Sequence, residues 1–431
     1  MSTAAALAAP LRLPNGATLP NRIAKAAMTE GLAEHGRAGP ALAVLYERWA
    51  RGGAGLLLTG NVIVDGAHLE RPGNVVLDAE PDAAARAGLC AWSAAAHAGG
   101  ARIWMQLSHA GRQTPVRVNR HPQAPSAVPV ALPGRQFGMP QALSEAEIEV
   151  LIGRFALAAR VARECGFDGV QVHAAHGYLI SAFLNPRANQ RTDRWGGALA
   201  NRARFLLAAV AAVRDAVGAD FPLAVKLNSA DFQKGGFAFE DSRTVAAWLA
   251  DAGIDLLEIS GGSYEQPRMM NLAGLEASEA PALPASTQAR EAYFLDFASA
   301  LLAARTPPLM VTGGFRSTAA MAEALALGVA VIGIARPLCV TPEGPARLLA
   351  GSATTLARYE DRLRLGPGPF GPASPLAFVK AINGFASMSW YYQQIRLLAS
   401  GRDAAPTMSV LGAFVAEQRA DARIRRRDAA G

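Results

Sequence analysis

Cysteine and lysine are scarce in this chain of 431 residues, and long apolar runs are absent. The three cysteines, Cys90, Cys165 and Cys339, are far apart and odd in number, which argues against a disulfide framework and against a cysteine-rich iron–sulfur site. This usage fits a reducing compartment, and the N-terminus lacks a signal-peptide pattern, so we expect a cytoplasmic protein. Since no run of about 18 apolar residues occurs, we expect no membrane span.

Positive charge is present without the pattern that nucleic-acid binding requires. The formal net charge is +7, but four arginines stand together at 423–427. No basic patch with interleaved aromatic residues occurs elsewhere, so we expect no nucleic-acid partner. Hydrophobic residues make up 51% of the chain and charged residues 18%, which excludes intrinsic disorder and allows a large buried core.

The dinucleotide-binding pattern Gly-x-Gly-x-x-Gly is also missing after the first predicted strand, which counts against a doubly wound sheet. Strand-like and helix-like segments alternate eight times, so the sequence predicts an α/β fold, a (β/α)8 TIM barrel. The predicted strands are 23–27, 55–59, 102–107, 169–173, 223–227, 256–259, 309–312 and 331–334. The predicted helices are 40–52, 82–98, 144–164, 201–217, 241–252, 287–304, 317–327 and 343–350.

Local signals support some of these helix boundaries. Ser144 followed by Glu147 is a capping-box pattern at the start of the third predicted helix. Asp241 and Ser242 are residue types that cap helices, so we expect them to begin the fifth.

Three further segments surround the predicted barrel. Residues 11–19 contain an Asn-Gly turn, which predicts an N-terminal hairpin below the barrel. Residues 108–143 are too long and proline-rich for a plain loop, so we expect a cover on the substrate side. Residues 351–431 are predicted to form a helical C-terminal extension to a barrel domain spanning 1–350. Its first helix is rich in aromatic residues, so we expect it to pack on the barrel or at the subunit interface of a homo-oligomer.

Polar side chains stand at the carboxyl ends of the predicted strands, and these ends converge on one mouth of a barrel. Gln106 ends the third strand and offers a donor and an acceptor side by side, which suits the edge of an imide. His173, His176 and Tyr178 follow the fourth strand. Lys226 brings a positive charge to the end of the fifth.

Glycine and arginine follow the last two strands, where TIM barrels commonly bind phosphate. Gly313 and Gly314 follow strand seven, and Ala335 and Arg336 follow strand eight, which together indicate a phosphorylated ligand. Other interpretations remain open from the residues alone. The two histidines could bind a metal ion in a barrel hydrolase or aldolase, although no carboxylate completes the ligand set. A barrel retained as a non-enzymatic scaffold would have lost such chemistry.

The segment that begins at the fourth strand resembles the Old Yellow Enzyme family of flavin-dependent ene-reductases. The resemblance rests on His-Ala-Ala-His-Gly-Tyr at 173–178, Arg-Thr-Asp-Arg-Trp-Gly-Gly at 191–197 and Asn-Arg-x-Arg-Phe at 201–205. It covers about residues 10–350. The chain lacks the cysteines and the length of the iron–sulfur branch, so it resembles the single-domain branch. The resemblance implies FMN as cofactor and NADH or NADPH as hydride donor.

The resemblance also implies how FMN is bound. Its phosphate would lie on Gly313, Gly314, Ala335 and Arg336, Gln106 would face the pyrimidine edge, and Lys226 would stabilise negative charge near N1 and O2. Relatives contribute further residues at the ends of strands one and two, here Ala26, Ala27, Met28, Thr29 and Gly60. The Thr29 hydroxyl can donate to the flavin O4. Where relatives have cysteine there, an aromatic residue follows two positions later, and this chain has Gly31 instead.

The implied reaction reduces carbon–carbon double bonds conjugated to a carbonyl or nitro group. His173 and His176 would bind the oxygen of a small enone-type substrate, and Tyr178 would protonate its Cα. No metal ion takes part in this scheme.

Overall fold

A computed structural model describes residues 3–132, 136–263, 265, 295–302, 306–372 and 374–428 of the chain. Within these residues eight parallel strands form a closed barrel, because the first strand pairs with both the second and the eighth. The strands are Ile23–Lys25, Leu56–Ile63, Arg102–Ser108, Gly169–Ala174, Leu223–Asn228, Leu256–Ser260, Leu309–Thr312 and Val331–Ile334. The predicted (β/α)8 TIM barrel is therefore confirmed.

The second barrel strand is longer than predicted and ends at Ile63 rather than at residue 59. A register shift between Leu58 and Asn61 carries the strand past Gly60, and this irregularity was not evident in the sequence. The two-residue strand Val75–Val76 pairs with its end.

Helices lie between the strands where the sequence predicts them, with small differences in their limits. They are Pro40–Arg51, Ala83–Ala98, Glu145–Glu164, Leu199–Arg202 with Arg204–Val217, Phe239–Asp251, Leu295–Leu302, Thr318–Ala326 and Gly344–Leu349. Thr3–Ala8 and Leu179–Leu184 are two further short helices. Of the predicted helix 287–304, residues 287–294, 303 and 304 lie outside the described residues.

The helix-start predictions have different outcomes. Ser144 and Glu147 form both hydrogen bonds of the capping box, as predicted. The cap at Asp241 and Ser242 is wrong, because that helix begins at Phe239. The Ser242 hydroxyl instead donates to the Asn228 carbonyl, and Asp241 accepts from Arg202. Tertiary contacts therefore take up both side chains.

Two separate apolar clusters form the core. One lies between the strands and the surrounding helices and contains the outward-facing strand residues. The other fills the lower interior of the barrel with inward-facing residues such as Leu56, Trp104 and Leu256. Strands Leu11–Arg12 and Thr18–Leu19 form the predicted hairpin, and its leucines join this inner cluster. The hairpin therefore closes the bottom of the barrel.

Polar side chains replace apolar ones toward the carboxyl ends of the strands. Lys226 is paired in register with His173 on one neighbouring strand and with Glu258 on the other. Gln106 is likewise opposite Gln171. Since alternate residues of a strand point to the same face, these side chains form a polar layer above the apolar one.

Residues 108–143 contain two short strands, Gln123–Ala124 and Gln141–Ala142, which pair in parallel. Arg191 bonds the carbonyl groups of Pro125 and Leu143, and so holds this segment against the barrel. Gln113 donates to the carbonyl of His176. The segment therefore supports the loop after the fourth strand.

The C-terminal extension contains the helices Ala377–Ala399 and Val410–Asp428, which pack on the barrel of their own chain. Trp390 is fully buried there, whereas Phe378 and Phe385 on the same helix are exposed. No helix in the described ranges is long and apolar enough to cross a membrane. The domain boundary at residue 350 and the subunit interface remain predictions.

Candidate active site

A cavity opens at the carboxyl ends of the barrel strands and has about 1270 Å³ of empty space, including the part open to solvent. Its lining contains twelve of the fourteen predicted site residues. They are Ala27, Met28, Thr29, Gln106, His173, His176, Tyr178, Lys226, Gly313, Gly314, Ala335 and Arg336. The structure therefore brings together residues that are up to 309 positions apart in the chain.

Two predicted cofactor residues do not belong to this lining. Ala26 is buried in the inner apolar cluster of the barrel. Gly60 lies against Glu30, whose carboxylate oxygen would be 2.3 Å from a Cβ atom at this position. Its backbone N–H donates to the same carboxylate. The absence of a side chain at Gly60 is therefore explained by close packing.

Other lining residues were not predicted from the sequence. They come from the second strand and the loop after it, from strands six and seven and the segments after strands seven and eight, and from the helix Ala377–Ala399, and include Asn61, Glu70, Ser260, Thr312, Arg316, Cys339, Met388, Tyr391 and Tyr392. The described residues of 108–143 do not line the cavity. The first helix of the C-terminal extension contributes to the lining instead, and the cover expected for residues 108–143 stays a prediction.

The two histidines and the tyrosine after the fourth strand lie close together. The His173 ring is 5.0 Å from the rings of both His176 and Tyr178, with edge-to-face geometry. Nδ1 of His173 accepts the backbone N–H of Ala175 at 3.2 Å. A neutral imidazole carries one hydrogen, so the hydrogen of this ring must be on Nε2. His173 can therefore donate a hydrogen bond from Nε2 to a ligand.

The position of His176 depends on several neighbours. Its φ of +64° lies in the left-handed region that residues other than glycine rarely adopt. Its backbone N–H donates to the Asn228 side chain at 3.1 Å, and its Nε2 is 2.7 Å from the Ser260 hydroxyl. These contacts hold a strained backbone in place, which is common at functional sites.

Both histidines are held in the neutral form. Burial lowers the pKa of His173 well below its usual value, and the charges of His176 and Lys226 add to this effect. Burial and the charge of Lys226 also lower the pKa of His176. Neutral imidazoles at physiological pH can donate hydrogen bonds to an oxygen without bringing a full positive charge.

Gln106 has an unused acceptor. Its Nε2 donates to Oδ1 of Asn61 at 2.7 Å, while its buried Oε1 has no hydrogen-bond partner in the described protein. An unpaired buried acceptor is costly, which indicates that a ligand donor completes it. The imide N–H of a flavin is a group of this kind.

Lys226 forms an ion pair inside the barrel. Its Nζ lies 3.1 Å from Oε1 of Glu258, and both side chains are almost completely buried. Gln171 donates to the other oxygen of Glu258 at 2.8 Å. Glu258 thus offsets part of the lysine's positive charge.

The ends of strands seven and eight are suited to binding an anion. Gly313 and Gly314 have φ angles of +134° and +87°, which glycine adopts easily. Arg316 and Arg336 line the same region, and Glu360 accepts from Arg316 at 2.5 Å and lies 3.6 Å from Arg336. Two guanidinium groups beside glycine backbone fit a phosphate group.

In the described part of the chain, one group of side chains has the spacing of a metal site, and it does not include the predicted histidines. The group is Asp65, His68 and His109. Each ring accepts a backbone N–H at one nitrogen, from Gln123 and Gly111 respectively. The other ring nitrogen of each neutral histidine then carries its hydrogen and cannot bind a cation. This cluster is therefore better described as a hydrogen-bonded support.

Comparison with known sequences gives matches over most of the chain. The family model described as the NADH:flavin oxidoreductase / NADH oxidase family matches residues 6–354. An NADH-dependent flavin oxidoreductase of Hypocrea jecorina is 37% identical over 353 residues, which are 77% of this chain and 86% of that protein. Another, of Talaromyces variabilis, is 34% identical over 411 residues, which are 91% and 98% of the two chains.

Solved structures with the same fold include an Old Yellow Enzyme homologue from Zymomonas mobilis. It has a TM-score of 0.68 and 27% identity, and the match covers 82% of this chain and 95% of that one. A 2-naphthoyl-CoA reductase has a TM-score of 0.72 and 26% identity, with 81% of this chain but only 52% of the other covered.

Proposed function

The chain belongs to the NADH:flavin oxidoreductase / NADH oxidase family, and we propose that it reduces carbon–carbon double bonds conjugated to a carbonyl or nitro group. Its redox cofactors are FMN and a reduced nicotinamide. Since the similar proteins are named as NADH-dependent, we propose NADH as the donor.

The observation that best supports this proposal is the group of His173, His176 and Tyr178 on the cavity lining. Two neutral imidazoles can bind one oxygen, and the Nε2 hydrogen of His173 is left for this purpose by the bond from Ala175. A phenol beside them offers a proton. Donors for an oxygen and a separate acid are what reduction of an enone requires.

The remaining lining fits FMN. We propose that Gly313, Gly314, Ala335 and Arg336 bind its phosphate and that the unpaired Gln106 Oε1 accepts from its imide. Arg316 adds a second guanidinium for the phosphate. We place Ala27, Met28, Thr29 and Lys226 against the ring system, and Ala26 and Gly60 behind them in a supporting position.

FMN, held by Gln106, Lys226 and the phosphate-binding residues, would supply the hydride that the substrate gains at Cβ, with NADH as the source of the electrons. His173 and His176 donate hydrogen bonds to the substrate oxygen and so stabilise the enolate-like charge that develops there. Tyr178 transfers its phenolic proton to Cα, and water returns a proton to the tyrosine. The substrate thus gains one hydride and one proton, which balances the reduction of one double bond.

The C-terminal helix adds an aromatic surface to the same cavity. Tyr391 and Tyr392 line it, and the Tyr391 hydroxyl is 3.3 Å from Glu360. We propose that these rings bind the apolar part of the substrate. A planar conjugated compound fits this environment.

The test follows the oxidation of reduced enzyme by an enone in variants of the three residues. His173→Ala and His176→Ala should each slow this step by about 10²–10³-fold and weaken the binding of phenols, because one donor to the oxygen is lost. Tyr178→Phe should slow it while phenol binding remains. All three variants should still bind FMN.

His121→Ala is the matched control, because this histidine is exposed and away from the cavity. Unchanged oxidation rates in all three variants would contradict the proposal. Loss of a bound metal ion from the histidine variants would support the metal-dependent hydrolase or aldolase instead.

A further inference from the structure

Among the described residues that line the cavity, Glu70 alone carries a carboxylate. It lies in the loop after the second barrel strand, and no motif in the sequence indicated a role for it. Protein atoms surround most of its side chain, and the reaction proposed above assigns it no role. The carboxylate therefore needs an explanation.

Glu70 belongs to a continuous chain of hydrogen bonds along one side of the cavity. The Thr29 hydroxyl is 2.5 Å from Oε2 of Glu70, and the Asn61 side-chain amide donates to the same oxygen at 2.6 Å. Asn61 in turn accepts from Gln106. We call these four residues the Glu70 chain. Two of its members, Thr29 and Gln106, are residues that we place against the flavin.

Whether Thr29 or Glu70 donates the hydrogen bond between them depends on whether the Glu70 carboxyl group is protonated. A hydroxyl has a single hydrogen, and an ionised carboxylate can only accept. When Glu70 is ionised, the Thr29 hydrogen must therefore point to it. When Glu70 is protonated, it can donate to the Thr29 oxygen, and the Thr29 hydrogen becomes available to an acceptor in the cavity.

We propose that Glu70 is a positioning residue that decides whether Thr29 donates its hydrogen into the cavity, and that it thereby couples the reduction potential of bound FMN to pH. This inference rests on the proposed binding of FMN against Thr29. A donor to a flavin carbonyl favours the reduced form, since reduction increases the negative charge on that edge. The potential should therefore be higher when Glu70 is protonated.

Burial and the charged groups around Glu70 together shift its pKa upward. Burial raises its pKa from the usual 4.5, and the nearby Glu30 acts in the same direction. Bonds from Thr29 and Asn61 and the charge of Arg71 act in the opposite direction without cancelling this rise. Tyr392 on the C-terminal helix also faces Glu70, and burial raises the pKa of this tyrosine to about 12, so that it stays neutral.

The test measures the midpoint potential of bound FMN as a function of pH. Wild-type protein should show an additional bend above pH 4.5, beyond the slope due to the flavin itself. Glu70→Gln should remove the bend. On the alkaline side of the bend, where wild-type Glu70 is ionised, the Gln amide can still donate to Thr29, so this variant should favour reduced over oxidised FMN about tenfold more than wild type, which corresponds to ~30 mV.

Variants of Thr29 show whether the effect passes through its hydroxyl. Thr29→Val should also remove the bend, whereas Thr29→Ser should keep it. Asn61→Leu should move the bend to higher pH, because a bond that lowers the pKa of Glu70 is lost. Glu30→Gln is the matched control. It removes a carboxylate that bonds Tyr46 and Gly60, off the cavity lining, so the bend should remain but move to lower pH, because a charge that raises the pKa of Glu70 is lost.

The outcomes separate this inference from the proposed function. Protein that binds no FMN overturns both. Protein that binds FMN but shows no bend, or keeps the bend in Thr29→Val, overturns the role of Glu70 alone. If Glu70→Gln does not fold, the comparison of Thr29→Val with Thr29→Ser still decides the question.

Discussion

The guanidinium carbon of Arg71 lies 3.6 Å from the centre of the Tyr392 ring. This contact joins the loop after the second barrel strand to the C-terminal helix at the edge of the cavity. The same guanidinium bonds Glu417 and Asp421 on the last helix, and both acids are buried. Arg396 and Arg117 complete the ion cluster. The C-terminal extension is therefore part of the structure around the site.

Arg71→Met should lower the free energy of unfolding by about 3 kcal/mol, as measured by chemical denaturation. Removing one partner of a buried ion pair typically costs about 3–5 kcal/mol. We expect the low end of this range because Arg396 and Arg117 still compensate the two acids. Arg37→Gln is the control, since its pair with Asp82 is exposed to solvent and should contribute little to stability. Equal effects of the two substitutions would contradict this.

Lys226→Met should weaken FMN binding and lower the reduction potential of the bound flavin, because a positive charge near the reduced ring is lost. Glu258→Gln should raise the potential, since Glu258 offsets the charge of the lysine at 3.1 Å. Both values can be measured by equilibration with redox dyes. A shift in the same direction for the two variants would show that the ion pair does not act on the flavin.

Stability should decrease as pH falls below 6.5, partly because of His173. Its pKa in the folded protein is lowered, so the unfolded chain binds a proton near pH 6.5 that the folded protein does not. The free energy of unfolding then falls with decreasing pH, by up to about 1.4 kcal/mol per unit from this residue. His173→Asn should reduce the slope between pH 5 and 6.5. Identical slopes in the two proteins would mean that this histidine titrates normally.

Tyr392→Ala should shift substrate preference toward enones with bulky substituents, because the substitution removes a ring from the cavity lining. The measurement is the ratio of kcat/KM for a bulky and a small enone. Phe385→Ala is the matched control on the same helix, where the side chain is exposed and away from the cavity. A ratio that changes equally in both variants would point to a general loosening of the helix.

Phe378→Asp should dissociate the predicted homo-oligomer, so that the mass of the particle in solution falls while FMN stays bound. Phe378 is 65% exposed on the C-terminal helix, and such an apolar side chain suits the predicted subunit interface. Light scattering measures the mass, and Val150→Asp, at an exposed position on a barrel helix, is the control. Unchanged mass would remove the support for an interface at this helix.

The barrel could be predicted because each of its strands is a short apolar run with a polar residue or glycine at its end. The inward direction of Gln106, His173 and Lys226 follows from the alternation along such strands. The sequence could not show which groups these residues would face. Glu258 lies at an unremarkable position, yet the register places it beside Lys226.

The cavity residues that the sequence did not predict were missed for a different reason. Glu70 lies on a loop and Tyr392 on a terminal helix, and no periodic pattern links either position to the mouth of the barrel. Glu70 reaches the cavity through its bonds with Thr29 and Asn61, and Tyr392 through the packing of a helix that the ion cluster at Arg71 joins to the barrel. The aromatic content of the helix did predict that it would be partly buried. It did not predict which of its faces would meet the cavity.

The most direct test of the account is the colour of the purified protein during two successive anaerobic reactions. Protein loaded with FMN should be yellow, lose its colour when NADH is added, and recover it when an α,β-unsaturated ketone follows, with the saturated ketone as product. A flavoprotein that NADH reduces but no activated alkene reoxidises would contradict the proposed reaction. A colourless protein that does not bind FMN would contradict the account as a whole.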